Sequence, residues 1–330
     1  MKKALCLILV SAMLLTATAC SHSNADPQPP SSSSESDGSV PAASSSASSE
    51  ADSGVLSSGS GEGSSSASPG QKTSSPAKTG GSSKAPAAPS QPEAPKTVSV
   101  VIPEGFTLSQ IGDRLEAKGV CKKADLIKAT QTYDFSYYPL VKAIKPDKNR
   151  CYKLEGYLYP DTYEFYVNMK PQDAVGKFLR NAESNITGNY SYPGMTTDQI
   201  VTLASIIERE ADNSDDMKKV SSVFHNRLKA GQRLEADATI VYIESFVKPN
   251  IGGANTYNAY YNTYKCAALP AGPISNPGSA ALNAAVHPAD TDYYYFITAN
   301  HQYYYQKTLA EHDQKLKELG MSTDSNAAAS

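Results

Sequence analysis

From residue 21 to residue 95 the chain is Ser, Gly, Pro, Ala and little else, with almost no large apolar side chains. Such a stretch cannot bury enough surface to offset its ordering entropy, so it is expected to be a disordered linker. As a flexible coil it would reach on the order of 50 Å, more when stretched, which suits a tether. Folding is thereby confined to residues 96–313, a length that allows a sizeable core or two packed domains.

What precedes the linker is a secretion signal: Met1-Lys2-Lys3, an apolar run over 4–15, then Thr16-Ala17-Thr18-Ala19-Cys20. The run is shorter than the roughly 20 residues a spanning helix needs. Small residues before Cys20 are similar to a lipoprotein signal, in which Cys20 becomes the lipidated first residue, although Ala17 stands where such signals usually carry Leu. An ordinary cleaved signal and an uncleaved anchor are the alternatives. In each case the rest of the chain is expected outside the cytoplasm, held to the membrane by the lipid or by an uncleaved signal. The formal net charge of −3 and the unclustered basic residues give no electrostatic footprint for nucleic acid. Cys121, Cys151 and Cys266 match no zinc spacing, and one pair of them could be oxidised. No metal or cofactor is expected. Tyr is abundant (21 residues) and Trp absent. Runs such as Tyr293-Tyr294-Tyr295 and Tyr303-Tyr304-Tyr305 read as half-buried strands or as carbohydrate-contacting surface.

Along the folded part, residues 97–102 alternate and are β-branched, so they predict a strand. Thr107 with Gln110 has capping-box spacing, and Leu108, Ile111 and Leu115 then share one helical face. A second short helix is expected over 124–130. Strand, turn, helix, helix is the layout of a LysM-like module, a small glycan-binding fold, assigned to 96–145. Residues 155–165 read as a strand interrupted by a Pro-Asp turn, and 171–182 as a helix. Thr196-Thr197-Asp198 caps a helix running to Ala211. A further amphipathic helix carries Val220, Val223, Phe224 and Leu228, and Gly231 stops it. Strands and long loops follow, then a closing helix over 308–319. The fold class is α+β, a small module followed by a mixed α/β domain at 146–319, with a disordered tail at 320–330. No phosphate-binding Gly loop is present.

The helix beginning at Thr197 sets two carboxylates in an apolar segment, Leu203-Ala204-Ser205-Ile206-Ile207-Glu208-Arg209-Glu210. A buried acid is costly, so a chain that keeps one usually uses it. At about 100° per residue the two point roughly 160° apart. Glu208 shares its side with Val201, Ala204 and Ala211, small neighbours that leave room for a ligand. Glu210 shares its side with Leu203, Ile206 and Ile207. That geometry makes Glu208 the candidate acid and Glu210 a structural acid paired with a base or a backbone amide. An ion pair at a helix face is the plainer alternative for Glu208.

Read together, LASIIERE (203–210), VFHNRL (223–228), LEADATI (234–240), YNTY (261–264), LPAGPISNPG (269–278) and His287-Pro288 follow the order and spacing of the MltG/YceG-like endolytic murein transglycosylases, which the chain resembles over most of 97–312. LEGYLYPDTYEF (154–165) and the closing Thr308-Leu309-Ala310-Glu311-His312 fit as well. The resemblance implies cleavage of the bond from N-acetylmuramic acid to N-acetylglucosamine inside peptidoglycan strands, leaving 1,6-anhydromuramic ends. It matches the essential acid to Glu208, which would protonate the leaving oxygen and then take the proton of the muramic C6 hydroxyl. That role implies a pKa raised by apolar surroundings. The resemblance also suggests substrate contacts from Asn226, Asp237, Thr239, Asn262, Tyr264 and His287. Asp237 could steady the developing cation, orient Asn226 or merely cap a turn. YNTY and His287 could be structural, and Arg227 could pair with Glu210 or with substrate carboxylates. Peptidoglycan polymerases and transpeptidases are the implied partners. Two departures are visible: Ala271 replaces the second Pro of LPPG, and Ala238 replaces the Pro expected after Asp237. A non-catalytic peptidoglycan-binding lipoprotein and a hydrolase of the same glycan are the competing functions.

Overall fold

The computed structural model describes residues 95–266 and 268–321. The expected signal, the lipidation site at Cys20, nearly all of the linker and most of the tail lie outside them. Strand β1 (Thr97–Ile102) buries Val100 and Ile102 and turns Ser99 and Val101 outward, the period-2 pattern of a half-covered strand. Helix α1 (Leu108–Ala117) starts at a full capping box, with Thr107 and Gln110 satisfying each other's backbone N–H. Helices α2 (Lys123–Thr132) and α3 (Pro139–Lys142) follow. The chain then returns as β2 (Asp161–Tyr166), antiparallel to β1 with Thr97 opposite Tyr166 and Ile102 opposite Asp161. The two-stranded sheet therefore straddles the 145/146 division expected from sequence.

The stretch before Pro160 is not a strand. Gly156 takes a left-handed φ of 88°, and a Cβ there would lie 2.5 Å from Pro273 Cβ and 3.0 Å from Val201 Cγ1. Only Gly permits both the turn and the approach. The turn delivers Glu155 into the core, where its Oε1 accepts from the Leu108 N–H (2.8 Å) and Asn276 Nδ2 (3.1 Å) and its Oε2 from the Tyr242 hydroxyl (3.1 Å). Burial pushes this carboxyl up to about 7, against the pull of those donors. Asn276 also accepts the Leu158 N–H at 2.7 Å and donates to Phe106 O at 2.8 Å, so one side chain ties three loops together.

Helix α4 (Pro171–Ile186) is followed by α5 (Thr197–Glu210), again with a capping box, Thr196 with Gln199. Asn213 caps α6 (Ser214–Lys229) through its side chain. The region expected to hold strands and loops contains more helix. Helix α7 (Asp237–Tyr242) runs into a π turn at Ile243–Val247, and a 3-10 turn at Ala254–Tyr257 leads into α8 (Asn258–Tyr261). Helix α9 (Ser279–Val286) packs on α5 and α6. Its sequence SAALNAAV is apolar almost all round, so no amphipathic stripe announces it, and its Ala residues let helices approach closely. The tyrosine runs contribute to an antiparallel hairpin, β3 (Tyr295–Ala299) with β4 (Gln302–Gln306), and α10 (Leu309–Glu318) closes the chain behind the capping box of Thr308 and Glu311. The result is a mixed α/β architecture with antiparallel pairs and a core continuous from Val100 and Leu108 to Leu203 and Leu282. Cys121, Cys151 and Cys266 are all free.

Candidate active site

Helix α5 is buried continuously from Ile200 to Ile207, and its two acids leave its C-terminal end toward different neighbours. Glu210 lines a cleft of about 420 Å³ together with Arg227 of α6, Glu235 and Asp237 before and in α7, Tyr264, Tyr295 of β3 and His312 of α10. Glu210 Oε1 is buried and, among the described residues, has no hydrogen-bond partner. Burial pushes the Glu210 carboxyl up to about 7; the negative charge of Asp237 adds to this, and the backbone N–H of Ala238 opposes it.

Around this acid the polar groups are held firmly. Asp237 opens α7, and its Oδ1 accepts the Tyr264 hydroxyl at 2.8 Å. Arg227 pairs not with Glu210 but with Glu235 (Nη1 to Oε2, 2.8 Å), and it donates to the carbonyls of Leu234 (3.0 Å) and Tyr294 (2.6 Å). Glu235 sits at φ 52°, an uncommon conformation for a residue with a side chain, immediately before the turn that presents Asp237. The Arg227 guanidinium lies 5.0 Å from the Tyr295 ring centre, and that ring meets His312 at 5.2 Å. Burial pulls the His312 imidazole below its ordinary pKa.

Thr239 and Asn262, expected to contact substrate, are buried and serve the scaffold instead. Thr263 Oγ1 accepts the Ala236 N–H at 2.9 Å and lies 3.1 Å from Thr239 Oγ1, while Asn262 Oδ1 accepts the Tyr264 N–H at 2.9 Å. These bonds fix the two turns that carry Asp237 and Tyr264. Asn226 is likewise committed, its Nδ2 donating to the carbonyls of Thr291 and Tyr293, both at 2.9 Å. His287 is exposed at the C-terminal end of α9, with Nδ1 3.3 Å from Asn283 O, and lies away from the cleft.

Glu208 is not among the residues lining the Glu210 cleft. Its Oε2 accepts the Gly278 N–H at 3.1 Å at the start of α9, its Cγ packs beside Gly105, and Arg209 Nη1 reaches Gly105 O at 3.4 Å. Its carboxyl too is pushed up to about 7, by burial and then by the neighbouring charge of Glu104. The small residues on its side of α5 do not make room for a ligand. They admit backbone: Ser205 Oγ accepts the Ile274 N–H at 3.0 Å, Ser275 Oγ donates to Ser205 O at 3.0 Å, and Pro273 and Val201 both close on Gly156. The face of α5 that carries Glu208 is thus a loop-packing seam rather than a wall of the Glu210 cleft. Of the residues singled out in the sequence, the cleft gathers Arg227, Asp237 and Tyr264 around Glu210. Glu235, Tyr295 and His312 join them without having been chosen as site residues. Among the described residues, no group of three or more His, Cys, Asp or Glu could hold a metal ion.

Comparison with known proteins agrees with this architecture. The sequence profile of the YceG-like family matches residues 82–318, and the chain belongs to that family. A crystal structure of a YceG-like protein from Listeria monocytogenes superposes with a TM-score of 0.57 and 35% identity, covering 67% of this chain and 76% of that one. Two similar proteins are named endolytic murein transglycosylase. That of Bacillus subtilis (strain 168) is 32% identical over 238 residues, 68% of this chain and 65% of the relative. That of Streptococcus pneumoniae serotype 2 is 27% identical over 251 residues, 69% of this chain and 46% of the relative. The chain thus spans about half to two thirds of the length of these curated relatives.

Proposed function

We propose that the protein is an endolytic murein transglycosylase that uses Glu210, rather than Glu208, as its single acid and base. The observation that carries this reading is the unpartnered, buried Oε1 of Glu210 in a cleft shared with Asp237 and Tyr264. The names of the relatives support the reaction class.

A carboxyl with a pKa of about 7 is largely protonated in mildly acidic to neutral surroundings and can still ionise, which is what a group that gives and then takes a proton requires. Glu210 donates its proton to the glycosidic oxygen as the bond to muramic C1 breaks. Positive charge develops on the sugar ring, and the Asp237 carboxylate, steadied by Tyr264, favours it electrostatically. The Glu210 carboxylate then removes the proton of the C6 hydroxyl as that oxygen closes on C1. The product is the 1,6-anhydro end, no water is consumed, and the acid is returned protonated. The rings of Tyr264, Tyr295 and Phe296 along the cleft offer faces and hydroxyls suited to sugars.

The helices between β1 and β2, closed by their antiparallel pairing, support a LysM-like glycan-binding role for this part of the chain. Lipid anchoring through Cys20 and proximity to peptidoglycan synthases complete the proposal. Among the described residues no helix is long and apolar enough to cross a membrane. A cleft with three acids, Glu210, Glu235 and Asp237, would also suit a hydrolase, since paired carboxyls serve that chemistry. Mass spectrometry of strands cut by the purified protein tests the reaction. Anhydro ends are expected, and reducing ends that have gained a water would contradict it.

A further inference from the structure

A second and larger cavity, of about 730 Å³, lies against the face of α6 that carries Ser222, His225 and Asn226. It is the size of ordinary ligand pockets and it is built in advance. His225 stacks on Tyr192 with ring centres 4.3 Å apart and has Nε2 2.8 Å from Ala285 O. Ser222 Oγ lies 2.6 Å from Thr291 Oγ1, Asn226 holds the carbonyls of Thr291 and Tyr293, and the Ala289 N–H donates to Lys218 O at 2.9 Å. These contacts brace the walls of the cavity. The lining left for a ligand is apolar, from Tyr192, Leu269 and Pro288, with one cation, Lys229, and one anion, Asp290. Among the described residues neither charge has an ion-pair partner.

The cavity is also wired to the Glu210 cleft. Asp290 and Thr291 line the first, Tyr295 lines the second, and the carbonyls of Thr291, Tyr293 and Tyr294 are pinned to consecutive residues of α6, Asn226 and Arg227. Five residue steps separate Asp290 from Tyr295, a reach of at most about 18 Å.

We propose that this cavity receives the peptide branch of the murein strand whose glycan occupies the Glu210 cleft, an inference that rests on the function proposed above. A short peptide carrying a free carboxylate and a free amine has the charge pattern that Lys229 and Asp290 complement, and its small apolar side chains suit the Tyr192, Leu269 and Pro288 walls. The cavity would make the enzyme prefer peptide-bearing strands over bare ones.

Two measurements test it on the full chain. In calorimetry the free tetrapeptide L-alanyl-γ-D-glutamyl-L-lysyl-D-alanine is expected to bind, and Lys229→Ala and Asp290→Ala are each expected to weaken it about fivefold or more. In strand cleavage, the ratio of kcat/KM on peptide-bearing strands to that on strands stripped of peptide by an amidase is expected to fall about five- to tenfold in the double variant. Absent peptide binding, an affinity indifferent to both substitutions, or an unchanged ratio would overturn the assignment. The calorimetry needs no catalysis. Peptide binding that depends on Lys229 and Asp290 in a protein that cuts no strands would refute the enzymatic proposal and uphold the cavity's.

Discussion

The Tyr264 hydroxyl donates to Asp237 Oδ1 at 2.8 Å, joining two turns that are 27 residues apart in the chain. Asp237 is exposed at the start of α7, so without this bond its side chain would be free to swing into solvent. The bond instead keeps Asp237 beside Glu210, where its charge raises the acid's pKa and, in the proposed mechanism, faces the developing positive charge. Tyr264→Phe removes one hydrogen bond to a charged group, worth about 1.5 kcal/mol, so kcat is expected to fall about tenfold with little change in folding stability. Steady-state kinetics with a parallel thermal melt checks this.

The pH profile should respond in opposite directions to two neighbouring substitutions. The working acid must be protonated, so activity is expected to decline as pH rises past about 7. Asp237→Asn removes a like charge, which lowers the pKa of Glu210 and moves this alkaline limb to lower pH. Ala238→Pro removes an N–H that favours the ionised acid, which raises the pKa and moves the limb to higher pH. The second variant restores the Pro that the motif leads one to expect after Asp237. Shifts of the same sign in both variants would contradict the electrostatic role of these groups.

Glu155 links stability to pH. Its folded pKa of about 7 exceeds its ordinary 4.5, so its contribution is whole below pH 4.5 and is lost as pH rises through about 7. The difference amounts to on the order of 3 kcal/mol. Glu155→Gln mimics the neutral acid: it keeps an oxygen for Leu108 and Asn276 and offers an amide to Tyr242. Denaturant melts between pH 4.5 and pH 8 are expected to show a shallower decline for this variant than for the wild type.

Gly156→Ala tests the seam that displaced the expected strand. The added methyl meets Pro273 at 2.5 Å in a backbone conformation that Ala resists. A loss of about 2–4 kcal/mol in urea unfolding is expected.

Much of this fold was legible before any coordinates, and the misses have physical causes. Strand β1 and helices α1, α5, α6 and α10 have clear periodicity, and the structure starts α1 and α5 where Thr107 and Thr196 indicate, while the side-chain caps of Asn213 and Thr308 emerge only in the structure. Helix α9 was missed because SAALNAAV has no polar face. Of the strand expected over 155–165, the part before the Pro-Asp turn is absent because Gly156 turns the chain and Asn276 takes the Leu158 N–H. The two acids of α5 lie on different sides, as the helical period implies, and side-chain volume alone does not show which of them faces a cleft. Small residues beside Glu208 receive the 273–276 backbone, whereas the cleft beside Glu210 is formed by segments distant in sequence, among them Glu235, Tyr295 and His312. Asp237 and Tyr264 stood in motifs that pointed to a site. Thr239 and Asn262 stood in the same motifs and turned out to brace it.

The role of Glu210 is most directly tested by comparing Glu210→Gln with Glu208→Gln in end-group analysis of digested murein strands. Both changes keep size and an acceptor oxygen, and only the first removes the proposed proton donor. Glu210→Gln is expected to reduce the release of anhydro ends by at least about a thousandfold, a loss of about 4 kcal/mol in transition-state stabilisation, while Glu208→Gln retains most of the activity. Anhydro ends released at the normal rate by Glu210→Gln, with activity lost instead in Glu208→Gln, would contradict it.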